Sequence, residues 1–200
     1  MKQTKKIFFF LLLAGALATI SDNRSMATEE TNDFKEKVRQ YFSDLKLTNQ
    51  QGEEVSFFSD VIEDRIVLIN GFYTHCNSGC SMQMTILSKL QTMLMTNFEN
   101  KLGKELFIVS ITLDPERDNL EKIKSYADRY SKGPGWLFLT GNTENINWVN
   151  YRLGQYAKVV ERHKNFYLLG NLRTGQWIRI QSNADAEQLM QLFQQQASGT

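Results

Sequence analysis

The stretch Ile66-Val67-Leu68-Ile69-Asn70-Gly71-Phe72-Tyr73-Thr74-His75-Cys76-Asn77-Ser78-Gly79-Cys80 decides the architecture. Its first eight residues are mostly branched or aromatic, the composition of a strand buried on both faces. The two cysteines of the chain follow within one short loop. Beyond them Met84, Leu87, Leu90, Met93, Leu94 and Phe98 recur at helical spacing over residues 82–98. A strand that runs through a loop into a helix puts Cys76 and Cys80 near a helix N-terminus. There the unpaired N–H groups and the helix dipole favour thiolate over thiol. Thiolate is both the nucleophile of disulfide exchange and a metal ligand. Gly79 supplies the backbone freedom of the turn. Closing so short a loop constrains an unfolded chain little, so the pair points to chemistry rather than to stapling.

Working outward, residues 106–113 read as a second buried strand ending at Asp114-Pro115, and 119–130 as an amphipathic helix. A strand at 136–139 follows, then a helix that starts at Asn142 or Thr143 and runs to about Leu153, where Gly154 stops it. Segments 166–169 and 177–180 flank Arg173-Thr174-Gly175, a hairpin signal. Residues 185–195 close the chain as a helix. Upstream, 47–57 reads as a small hairpin around Gly52. This order predicts an α/β, thioredoxin-like fold over residues 46–196, with a central mixed sheet covered by helices on both faces. Trp136, Trp148 and Trp177 read as core, as do Met84 and Met93. Met82 is the methionine nearest the cysteine loop.

The N-terminal end has a different character. Lys2, Lys5 and Lys6 precede an apolar run over 7–18, with small residues at 16–18 and again at 25–27. That is the layout of a secretory signal peptide over 1–27, or of a short N-terminal anchor, although a full span takes roughly 20 apolar residues. Residues 28–45 (TEETNDFKEKVRQYFSDL) read as a charged spacer, mobile or partly helical. The expected location is therefore outside the cytoplasm, periplasmic or membrane-associated facing the periplasm. Twenty-three basic residues against 22 acidic ones give a formal charge of +1, which argues against nucleic acid as a partner. A hydrophobic content of 42% is ample for a packed core.

Two chemistries suit the cysteine loop. Redox-active dithiols on a thioredoxin fold usually enclose two residues and face a cis-proline. This loop encloses three, and the chain has two prolines, Pro115 and Pro134. The position before the hairpin carries Glu161-Arg162-His163-Lys164 instead. Two thiolates and one imidazole are a soft, low-coordinate set that suits Cu(I) and can also hold Cu(II). A structural zinc site would want a fourth protein ligand. Cys76, Cys80 and His163 are thus the candidate metal ligands, and Cys76 and Cys80 the candidate redox-active pair. His75, beside Cys76, is expected to point to the opposite face and to pack there. Asp114 can cap the turn before the helix that starts at Asn119. Arg117 and Asp118 read as a local ion pair.

These motifs resemble those of the SCO/SenC family. Residues 71–76 (GFYTHC) are similar to its F-G-Y-T-H-C, and 114–118 (DPERD) to its D-P-x-R-D. Thr140-Gly141 matches its T-G, and Arg162-His163 with the following hairpin takes the place of its D-H-S and hairpin. The resemblance implies a thioredoxin-like copper chaperone that uses Cys76, Cys80 and His163 as ligands, with Asp114 as a nearby acid. It would deliver copper, or prepare thiols, for assembly of a respiratory cytochrome oxidase. The implied partners are a copper-receiving protein, such as an oxidase subunit or another copper chaperone, and a thiol reductant. The chain departs from the pattern where Asn77 and Ser81 replace prolines, Arg162 an acid and Lys164 a serine. The competing reading is a metal-independent thiol–disulfide oxidoreductase, with a peroxidase of the same superfamily further off.

Overall fold

The computed structural model describes residues 33–76 and 80–198. The expected signal segment 1–27, loop residues Asn77, Ser78 and Gly79, and the sulfur of Cys80 lie outside the described residues.

Phe34, Val38 and Phe42 recur every four residues, and that stripe makes 33–42 a helix, α1, with Phe42 buried against the rings of Phe57 and Trp177. This part of the charged segment is therefore docked on the domain. A small antiparallel hairpin follows, β1 (Lys46–Thr48) with β2 (Glu54–Ser56), and then a wide helical turn at Phe57–Ile62 whose four apolar side chains are buried.

The main sheet contains β3 (Ile66–Phe72), β4 (Leu106–Thr112), β5 (Trp136–Leu139), β6 (Phe166–Asn171) and β7 (Gln176–Gln181), in the order β5-β4-β3-β6-β7. β3, β4 and β5 run parallel, whereas β6 is antiparallel to β3 and to β7. The connecting helices are α2 (Cys80–Asn97), α3 (Leu120–Tyr130), α4 (Thr143–Arg152) and α5 (Ala186–Ser198). Asn119 and Asn142 cap α3 and α4 by accepting the N–H of Lys122 and Asn145.

All seven residues of β3 are buried, because successive side chains serve opposite layers. Ile66, Leu68 and Phe72 join α2, α3 and α5 on one face. Val67 and Ile69 join α1, α4 and the wide turn on the other. The mixed sheet with helices on both faces is as expected.

Two core expectations need correcting. Trp136 is buried, but Trp148 is 41% exposed. α4 turns Ile146 and Val149 inward, which leaves Trp148 on the outer side against the Arg152 guanidinium. Trp177 is half-buried. Met84 is fully buried and Met93 half-buried, whereas Met82 is exposed in the first turn of α2. No helix among the described residues is long and apolar enough to cross a membrane.

Candidate metal centre

Strand direction brings the distant parts of the site together. β3 and β4 are parallel, so Tyr73 and Asp114 leave the sheet at the same edge. β6 is antiparallel to β3, so the residues before it arrive at that edge too. The last pair is Asn70 with Tyr167, so the turn that carries His163, just before β6, lies at the end of β3 that leads into the cysteine loop.

Tyr73 is the hub of this edge. Its buried ring lies 4.8 Å from the His75 ring and 5.5 Å, nearly perpendicular, from that of His163. Tyr73 packs with Val160, and Cys76 and Leu113 pack against the pair. Leu113 can fold back this far because it crosses Gly71, where a Cβ would meet its side chain at 2.9 Å. Cys76 is disulfide-bonded. Burial above all, with the Glu161 and Asp114 carboxylates adding and the Arg117 guanidinium opposing, holds the Tyr73 hydroxyl above its usual pKa of 10.0.

His163 closes a single tight helical turn, Val160–Arg162. Its Nδ1–H donates to the Val160 carbonyl oxygen at 2.7 Å. A backbone carbonyl on one ring nitrogen is how metal-binding histidines are commonly oriented, since it presents the other nitrogen outward. That other nitrogen, Nε2, lies 2.6 Å from the side-chain oxygen of Asn165. Every peptide bond among the described residues is trans, so a trans histidine fills the place where a thioredoxin-like redox site would put a cis-proline.

On the cysteine side the geometry revises the expected pairing of Arg117 with Asp118. Arg117 reaches Asp114 at 2.5 Å and Glu161 at 3.8 Å, so it bridges the loop after β4 and the turn before His163. Asp118 is fully buried and accepts from the Thr74 N–H (3.2 Å), the Thr74 hydroxyl (2.5 Å) and the Thr112 hydroxyl (2.6 Å). Three donors satisfy this buried carboxylate, and His75 Nδ1 lies 3.9 Å from it. Asp114 also lies 3.3 Å from His75 Nε2, so this acid does sit beside the cysteine loop. His75 itself is exposed and leans on Tyr73, the same ring that Cys76 packs against. It does not point to an opposite face as expected, because the chain has left the strand and its alternation by Thr74.

The structure thus brings two of the three proposed ligand residues, Cys76 and His163, onto one small cluster. Among the described residues no three His, Cys, Asp or Glu side chains group to hold a metal. The donors still fit a soft ion. The Asp114 and Glu161 carboxylates face Arg117 and that of Asp118 is saturated, which leaves the sulfur, once the disulfide is reduced, and an oriented imidazole as the fitting chemistry. Asn165 and the burial of Asp118 are additions to the residues the sequence singles out. For Asp118 a faint signal exists in Thr74 and Thr112, hydroxyls at the ends of two otherwise apolar strands.

Residues 31–191 match the family described as SCO1/SenC. An SCO2-like protein of Rickettsia prowazekii is 27% identical over 207 residues, covering 95% of each chain. Copper-bound ScoI of Arabidopsis thaliana superposes with a TM-score of 0.64 at 20% identity, over 78% of this chain and 97% of that one. BsSco is described as having a disulfide switch and as a member of the Sco family of cytochrome c oxidase assembly proteins. It superposes with a TM-score of 0.63 at 20% identity, over 77% of this chain and 91% of its own. These likenesses bear out the thioredoxin-like fold.

Proposed function

Because the chain belongs to the SCO1/SenC family, we propose that it carries copper outside the cytoplasm and hands it to a protein of respiratory oxidase assembly. Cys76, Cys80 and His163 are the proposed ligands. The observation that carries this reading is the meeting of Cys76 and His163 on the Tyr73–Val160 cluster, with the His163 ring held through Nδ1 so that Nε2 is the nitrogen turned to a ligand. Copper is the cargo. It passes on by ligand exchange, as a thiolate or thioether of the receiving protein replaces one of these donors. Arg117 draws the Asp114 loop and the Glu161 turn toward one another, and Asp118 fixes Thr74 at the root of the cysteine loop. The recipient is an oxidase subunit or another copper chaperone, and loading depends on a thiol reductant. The signal-like segment 1–27 supports an exported, periplasm-facing location.

The disulfide at Cys76 favours a second activity of the same pair, thiol–disulfide exchange. In that reaction the Cys76–Cys80 dithiol gives two electrons and two protons to a partner's disulfide. The partner's S–S bond breaks to two thiols, and one S–S bond forms here.

One set of variants separates the two readings. Reduced protein titrated with Cu(I) against a chromophoric chelator should bind tightly, with affinity falling by roughly 100-fold in His163→Ala and further in Cys76→Ser. His163→Ala should keep most of its dithiol exchange. Equal copper binding by all three proteins rejects the carrier reading and leaves the exchange activity standing.

A further inference from the structure

Both ring nitrogens of His163 have partners, and the two partners differ in kind. The Val160 carbonyl belongs to the backbone of the tight turn that His163 closes, so it moves only if the turn does. Asn165 is exposed, two residues along, and reaches Nε2 through a side chain with free rotation. The Tyr73 ring, nearly perpendicular to the imidazole, limits how far that ring can swing to escape the carboxamide. In a neutral imidazole with its proton on Nδ1, Nε2 holds a lone pair and meets the amide with its NH2 end turned inward. In a doubly protonated ring, Nε2–H donates to the amide oxygen. In both cases the atom that a soft cation needs is engaged.

We propose that Asn165 is a latch on the metal-binding nitrogen of His163, a positioning residue that the incoming ion must displace. The inference rests on the copper-carrier reading above. The latch keeps the imidazole oriented while the site is empty and lowers its affinity for the ion by the strength of one hydrogen bond. It also eases departure, since the carboxamide retakes Nε2 as the ion leaves. Because the bond is local and solvent-exposed, the effect is a modest change in affinity and not an on–off switch.

The test uses the reduced full chain in four forms: unaltered, Asn165→Ala, His163→Ala and the double variant. Each competes with a chromophoric chelator for Cu(I), and the metal-free forms are compared by 15N NMR of the imidazole nitrogens. Asn165→Ala is expected to tighten Cu(I) binding by about three- to tenfold, the worth of one hydrogen bond, and to shift the Nε2 resonance while leaving Nδ1 in place. The double variant should bind like His163→Ala alone, because the latch acts only through that ring. An unmoved Nε2 resonance, equal or weaker binding by Asn165→Ala, or a gain that persists without His163 overturns the latch. If His163→Ala binds like the unaltered chain, the ligand assignment falls while the NMR comparison still decides whether Asn165 holds Nε2.

Discussion

The two sides of the site are anchored by different physics. On the cysteine side, Thr74 is pinned from beneath by the buried Asp118 carboxylate, which takes three hydrogen bonds and also ties in Thr112 at the end of β4. On the histidine side, the turn at Val160–Arg162 is held by the buried Val160 side chain and one imidazole contact, both on Tyr73, by the exposed Arg117–Glu161 pair and by two hydrogen bonds to a half-buried imidazole. Charge-assisted bonds out of water are strong and costly to break, whereas exposed ion pairs contribute little. The contrast teaches that the pocket has a fixed wall and an adjustable one. A carrier that must both hold and release an ion gains from that asymmetry, since only the adjustable wall has to move.

The largest expected effect is on the fixed wall. Asp118→Ala leaves the buried Thr112 hydroxyl and the half-buried Thr74 N–H and hydroxyl without this acceptor. It should lower stability by about 3 kcal/mol in urea unfolding; a loss within about 0.5 kcal/mol would show that the carboxylate is not the anchor. Arg117→Ala cuts an exposed link and should cost only about 0.5 kcal/mol. Its effect should appear in amide hydrogen exchange, faster over residues 160–165 and unchanged at Thr74. Equal acceleration on both sides would abolish the contrast. The smallest effect is alkaline. The hydroxyl of Tyr73 has a raised pKa in the fold, so its contribution to stability is intact below pH 10.0 and is lost as pH climbs through the higher folded value. Stability of the unaltered chain should therefore fall more steeply above pH 10 than that of Tyr73→Phe, measured by chemical unfolding at each pH.

Most of the architecture is legible because its signals are local. Apolar runs at 66–73 and 106–113, helical spacing after the cysteines, the Asn119 and Asn142 caps and the hairpin around Gly175 each depend on neighbours in the chain, and each element sits within two or three residues of its expected bounds. His163 could be singled out because its place before a hairpin that returns beside β3 sets which edge it reaches. The partners of charged residues were not legible. Arg117 and Asp118 are adjacent, yet one faces solvent and the other the core, and only packing decides which carboxylate the guanidinium meets. Trp148 misleads for a similar reason, since a large aromatic reads as core until the phase of α4 is known. The burial of Phe42 was missed because charged neighbours mask a stripe with four-residue spacing.

The chain contains two histidines, and both imidazoles rest on the ring of Tyr73. A phenol ring imposes a ring-current shift on whatever protons lie beside it. The carbon-bound protons of just two side chains, which fall in an uncrowded part of the proton spectrum, therefore report on both walls at once. Displacement of the 163 turn would move one set of signals, and rearrangement of the loop after Thr74 the other, so the protein carries its own pair of magnetic gauges for opening and closing.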